Sequence, residues 1–141
     1  MSNIVLHFDG SCGPVNPGGT AAYGFVVTVD GVEVKHDHAV IGTGPNYSNN
    51  YAEFYAVYKG LEYVNQIIKS NDMLFIKGDS KLVINILKKK WKVRHKTGFY
   101  YPAYKLAAQE LLFLRESDIA VFLDWIPRED NTIADKLSKT K

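Results

Sequence analysis

The sequence predicts an α/β fold: a mixed five-stranded sheet, three antiparallel strands followed by parallel ones, with helices on both faces. Two observations carry this expectation. Three strand-like segments come first, and helical and strand-like segments then alternate, giving the order βββ-α-β-α-α-β-α. The second and third segments meet at Asp30-Gly31, a two-residue hairpin signal, whereas strands reached through helices add in parallel.

Each element has its own local reason. In residues 3–9, Ile4, Leu6 and Phe8 point one way and Val5, His7 and Asp9 the other, the period of a strand. The stretch SCGPVNPGGT that follows is turn chemistry, because Gly and Pro punctuate periodic structure. Residues 21–29 and 32–41 form the hairpin, and a Gly/Pro/Asn loop runs from Gly42 to Asn50. Residues 51–69 are the clearest helix, with Ala56, Val57, Gly60, Leu61, Val64 and Ile68 in one stripe. A short apolar strand over 73–78 precedes a helix in SKLVINILKKK. A third helix covers 102–116, with Pro102 in its first turn, and a last strand covers 119–125. Asn131 is positioned to cap a final helix, TIADKLSK.

With 141 residues, no internal repeat and no linker-like tract, the chain reads as one domain, residues 1–141. Its 46% hydrophobic and 23% charged content is that of an ordinary soluble globular protein. The net charge of +2 does not announce a nucleic-acid binder, but its distribution is uneven. Six of the 17 Lys and Arg fall within residues 88–96, and only five lie in the first 87. A single cysteine, Cys12, excludes an internal disulfide and suits a reducing compartment. The N-terminus reads directly as a strand, and no run of about 18 apolar residues is present. The expected location is cytoplasmic, in a host cytoplasm if the gene is viral.

Four acids stand where chemistry would need them. Asp9 ends the first strand, where an Asx-type turn is the structural account. Glu53 extends the apolar stripe of its helix toward the sheet; a helix dipole accounts for a first-turn Glu but not for its core-facing side. Asp79 follows the strand over 73–78, either as a helix N-cap or as a ligand at a strand's carboxyl end. Asp135, one turn beyond Asn131, is an ordinary surface helical Asp when taken singly. Clustered, the four would repel unless cations neutralised them, and an all-oxygen set favours magnesium or manganese over zinc. Two such ions, roughly 3.5–4 Å apart, could activate a water and stabilise a leaving oxygen in phosphodiester hydrolysis.

The motifs DGSCGPVNPGG, NNYAEF, GDS and NTIADKLS resemble type 1 ribonuclease H in order and spacing, over nearly the whole chain. A three-residue insert before Asn16-Pro17-Gly18 and the segment WIPREDN resemble the archaeal-type branch. The resemblance implies a ribonuclease H-like fold and an endonuclease that cuts the RNA strand of RNA–DNA hybrids, leaving 5′-phosphate and 3′-hydroxyl ends. It implies Asp9, Glu53, Asp79 and Asp135 as catalytic metal ligands for two magnesium ions, with manganese as the alternative. Asn16 and Ser48 resemble residues that hold a DNA-strand phosphate, and Cys12, Asn49 and Asn50 resemble readers of the hybrid's minor groove, where 2′-hydroxyls are exposed. Partners implied are the hybrid and, as a further substrate, an RNA–RNA duplex, bound by a monomer.

Three positions depart from the commoner family pattern. The loop before the final helix has no His, and Arg128 is the candidate substitute, as a phosphate-binding cation and not a base. Lys81 stands where a groove-reading Gln is frequent, and would contact phosphate instead. The helical handle of some bacterial members is missing, and the run Lys88, Lys89, Lys90, Trp91, Lys92 takes its place as an expected contact to the duplex backbone. Two other readings stay open on sequence alone: a non-catalytic module binding hybrid or duplex RNA, and a DNA-acting nuclease of the same superfamily.

Overall fold

A computed structural model describes residues 1–89 and 100–140. Its strands are β1 (Asn3–Gly13), β2 (Thr20–Val29), β3 (Val32–Thr43), β4 (Met73–Gly78) and β5 (Ala120–Trp125). The helices are α1 (Asn49–Ile67), α2 (Lys81–Leu87), α3 (Tyr101–Glu116) and α4 (Thr132–Ser138), with a 3-10 turn over Arg128–Asp130. The sheet order is β3-β2-β1-β4-β5. The β1–β2 and β2–β3 pairs are antiparallel, and β1–β4 and β4–β5 are parallel. The predicted fold class is therefore the one observed.

The two faces of the sheet explain where the helices go. Ile4, Leu6 and Phe8 of β1, with Phe25, Val27, Leu74 and Ile76, are buried against the α1 stripe of Phe54, Val57, Leu61 and Val64. Burial of each such side chain stabilises by about 1.5–3 kcal/mol, which makes this face the main hydrophobic core. On the outer side of α1, Ala103, Ala107, Leu111 and Leu114 of α3 complete it. The opposite face takes α4, which lies so close over Gly24 that a Cβ there would strike the backbone of Ala134 and Ser138.

Several local expectations shift. β1 runs on through Ser11–Gly13, where Gly and Pro suggested a turn, because Gly10 to Gly13 keep pairing with Tyr23 to Thr20. α1 starts at Asn49, two residues before the expected start, at a cap made by Ser48, whose Oγ accepts from the Tyr51 N–H at 3.1 Å. α2 stops at Leu87, shorter than the run SKLVINILKKK suggested. Asn131 precedes α4 as expected but does not cap it; its side-chain amide donates instead to the Phe8 carbonyl at 2.8 Å. Lys90, Trp91 and Lys92, and with them most of the predicted backbone-contact run, lie outside the described residues. No helix among the described residues is long and apolar enough to cross a membrane.

Candidate active site

The site forms where β1 and β4 end and α1 begins. Asp9 belongs to the strand row that faces α4, at the point where the core row Ile4, Leu6, Phe8 stops, and it is 4% exposed. Next to it, Gly10 turns toward α1 and lies against the backbone of Ala52 and Glu53, an approach that only glycine permits. That contact brings Glu53, itself 5% exposed, to the edge of the sheet beside Asp9. Asp79 reaches the same place from β4. Its competing role as a helix cap falls to Ser80, whose Oγ accepts from the Val83 N–H at 3.2 Å. Ligand oxygens of Asp9, Glu53 and Asp79 lie within 4.8 Å of one another.

Asp135 stands at the margin of this trio, on α4. A seam of hydrogen bonds holds α4 to β1 there: Asn131 to the Phe8 carbonyl, Ser11 Oγ to the Ser138 carbonyl at 2.7 Å, and Ser138 Oγ to Asp9 Oδ2 at 3.2 Å. Two cations flank Asp135, with Arg128 Nη2 at 3.3 Å and Lys139 Nζ at 3.1 Å from Oδ1.

Burial and mutual repulsion set the charge state of the group. Desolvation, reinforced by Asp79 and Asp135, pushes the Asp9 carboxyl up to about 6. Glu53 is pushed well above the usual carboxylate range by burial and then by Asp9. Burial also raises Asp79, against the pull of Arg128. Asp135 goes the other way: burial opposes its ionisation, but hydrogen bonding with Asp9 and the Lys139 and Arg128 cations outweigh it.

A divalent cation fits this geometry. Glu53 Oε2 is buried with no hydrogen-bond partner, a costly arrangement for a carboxylate oxygen unless something cationic completes it. Every donor in the trio is oxygen, the set that hard divalent ions prefer. A linkage follows. In the metal-free protein, Asp9 binds its proton up to about pH 6, whereas in the unfolded chain it releases it near 3.8. The folded state therefore holds more protons in that window, and stability falls as pH rises through it. Thermal unfolding should show magnesium raising the midpoint more at about pH 7.5 than at about pH 5, and Asp9→Asn should shrink the pH-dependent loss. Equal metal shifts at both pH values would place the ion elsewhere.

The carboxylates sit in a cleft of about 540 Å³. Its lining includes Cys12, Asn16 and Asn49. The two asparagines are interlocked: Asn16 Nδ2 donates to Asn49 Oδ1 at 2.8 Å, and the Asn49 N–H donates to Asn16 Oδ1 at 2.9 Å. Cys12 Sγ lies 3.3 Å from the Val15 carbonyl. Ser80, Trp125, Arg128 and Lys139 line the same cleft. Of the remaining sequence expectations, Ser48 is buried as the α1 cap, and neither it nor Asn50 lines the cleft. Lys81 stands over the Trp125 ring, and Lys88 and Lys89 are exposed just past α2. Sequence reasoning passed over Trp125, Lys139 and Ser138. The position of Trp125 at the carboxyl end of a strand was the available signal.

A mixed sheet of this order, with carboxylates gathered at the ends of β1 and β4 and the start of α1, defines a ribonuclease H-type fold. The RNase H family model matches residues 1–141, and the chain belongs to that family. Among solved structures, it is similar to the N-terminal RNase H domain of Rv2228c from Mycobacterium tuberculosis, at 28% identity and a TM-score of 0.78 over 97% of this chain and 91% of that one. It is similar also to RNase H1 from the halophilic archaeon Halobacterium salinarum, at 26% identity and a TM-score of 0.78 over 96% and 93% of the two chains. LC11-RNase H1, solved in complex with an RNA/DNA hybrid, is 25% identical with a TM-score of 0.74 over 95% and 92%. The curated relative "Bifunctional protein Rv2228c" is 33% identical over 139 residues, 96% of this chain. The chain spans 34% of the length of the curated relatives it matches.

Proposed function

We propose that this protein is an endoribonuclease that hydrolyses the RNA strand of RNA–DNA hybrids, using divalent cations held by Asp9, Glu53, Asp79 and Asp135. One observation supports this reading above the others: on a ribonuclease H fold, three carboxylates converge within 4.8 Å and one of their oxygens is buried without a partner. A pure binding module has no use for such a cluster, because its mutual repulsion costs stability. When bound, two magnesium or manganese ions would supply Lewis-acid polarisation of the scissile phosphate and lower the pKa of a water.

The chain's own residues do the rest. Glu53 and Asp9, rigidly set by the Gly10 contact, hold the carboxylate cage in register. The seam from Asn131 and Ser138 to β1 fixes Asp135 and its two cations relative to Asp9. Arg128 is available to a phosphate oxygen, since it is 66% exposed and its partner Asp135 has Lys139 as a second cation. The interlock with Asn16 preorganises the Asn49 amide toward the hybrid's minor groove, where 2′-hydroxyls separate an RNA strand from DNA, and holds Asn16 for a DNA-strand phosphate. Hydrolysis adds water at phosphorus and breaks its bond to the 3′-oxygen, leaving 5′-phosphate and 3′-hydroxyl ends.

The test is cleavage of end-labelled RNA–DNA hybrid with magnesium, with manganese and with chelator, beside RNA–RNA, DNA–DNA and single-stranded controls. Metal-dependent internal cuts confined to the RNA of the hybrid are expected. Binding without cutting would favour a recognition module, and cutting of DNA duplex would favour a DNA-acting nuclease.

A further inference from the structure

The lining of the cleft holds a feature that the carboxylate chemistry does not use. Trp125 pairs with Gly78 and continues the row Val121, Leu123 that faces the helices. The core ends at Leu123, which is 5% exposed, whereas Trp125 is 43% exposed, so its ring emerges at the sheet rim beside α2. Two contacts fix that ring. The indole N–H donates to the Asp79 carbonyl at 3.0 Å, and Lys81 Nζ lies 4.8 Å from the ring centroid.

We propose that Trp125 is a positioning residue that aims the Lys81 ammonium at a backbone phosphate of the strand lying over Asp79, the strand to be cut. The proposal deepens the ribonuclease reading above and rests on it. Lys81 is the first residue of α2, where a cation is disfavoured by the helix dipole, so helix stability does not account for it. Among the described residues its ammonium pairs with no carboxylate, whereas Arg128 and Lys139 each pair with Asp135. The aromatic face holds the ammonium by cation–π attraction without neutralising it. Cys12 and the two interlocked asparagines of the cleft offer no such charge. A phosphodiester passing beside Trp125 therefore meets an ammonium held on its ring, and the same ring secures the Asp79 backbone beside it.

The test is hybrid affinity over a range of salt concentrations, without divalent cation so that no cutting intervenes. Lys81→Gln should reduce the slope of log affinity against log salt by about 0.9 unit, the B-DNA value for one phosphate contact. Trp125→Ala should reproduce most of that loss, and adding Lys81→Gln to it should remove little more. Trp125→Phe keeps an aromatic face and loses the N–H, so it should fall between Trp125→Ala and the parent; it also carries the test should Trp125→Ala not fold. Methylphosphonates walked along the RNA strand should then find one position that weakens the parent but not Lys81→Gln. An unchanged slope in Trp125→Ala and Trp125→Phe, simple addition of the two losses, or a hit on the DNA strand instead, would each overturn the proposal. A parent that binds hybrid but never cuts it sinks the ribonuclease reading alone, because the slope comparison still decides the role of Trp125.

Discussion

Asp9→Asn and Asp79→Asn should each abolish cleavage of an RNA–DNA hybrid while the folded protein still binds it. Both substitutions keep the side-chain shape and remove a charge from the trio whose oxygens lie within 4.8 Å of one another. Metal-assisted stabilisation of a phosphoryl transition state is worth several kcal/mol. Losing a ligand charge should therefore cost on the order of 10³-fold or more in rate. Binding should survive, because Asn16, Asn49 and the exposed cations are untouched. Stability should move in the opposite direction from activity. Asp9 is buried and its carboxyl is raised from 3.8 to about 6, so at neutral pH the metal-free fold carries a strain that Asn does not. Asp9→Asn should therefore raise the unfolding midpoint of the metal-free protein at neutral pH. Single-turnover cleavage, hybrid binding with chelator and thermal unfolding read the three effects separately. Variants that unfold, with parent activity in whatever stays folded, would return these acids to a structural role.

The parts of this site that were legible in sequence were those written in periodicity. Glu53 could be singled out, beside a helix-dipole account, because it continues a helical stripe otherwise made of Ala, Val, Gly, Leu and Ile, so the stripe's burial against the sheet carries the carboxylate with it. Asp79 was ambiguous because an Asp before a helix is a good cap; only the structure shows Ser80 taking that task and leaving Asp79 to the cleft. The overrun of β1 to Gly13 was hidden for a related reason. Gly and Pro advertise local turn preference, whereas the pairing of Ser11 and Cys12 with Ala22 and Ala21 is a non-local gain that no local signal reports. Asn131 was misjudged in the same way, since its amide serves the Phe8 carbonyl 123 residues away. Lys139 and Trp125 were passed over: one reads as an exposed helix charge, and the other's signal was its place at the carboxyl end of a strand. Their relevance comes from α4 and β5 meeting at one cleft.

Arg128→Ala should lower the rate at saturating substrate by about 10²–10³, the usual cost of removing one preorganised donor from developing charge. The geometry makes this specific. Arg128 lies in the 3-10 turn before α4, lines the carboxylate cleft, and reaches Asp135 Oδ1 at 3.3 Å. Its guanidinium also eases ionisation of Asp79 across the cleft. Being 66% exposed, it contributes little to folding, so unfolding midpoints should barely move. Arg128→Lys should recover only part of the rate, because an ammonium lacks the planar fork that grips two phosphate oxygens. Lys139→Ala is the matched control. It removes the other cation on Asp135 from a side chain i+4 along the same helix, and should cost less if phosphate contact, not the Asp135 pair, is what matters. Arg128→His should restore activity with a new pH dependence near the imidazole titration, since that side chain binds phosphate as a cation only when protonated. If Arg128→Ala cleaves at the parent rate, Arg128 is a bystander in the chemical step, and the carboxylates with their metal ions carry it without this guanidinium.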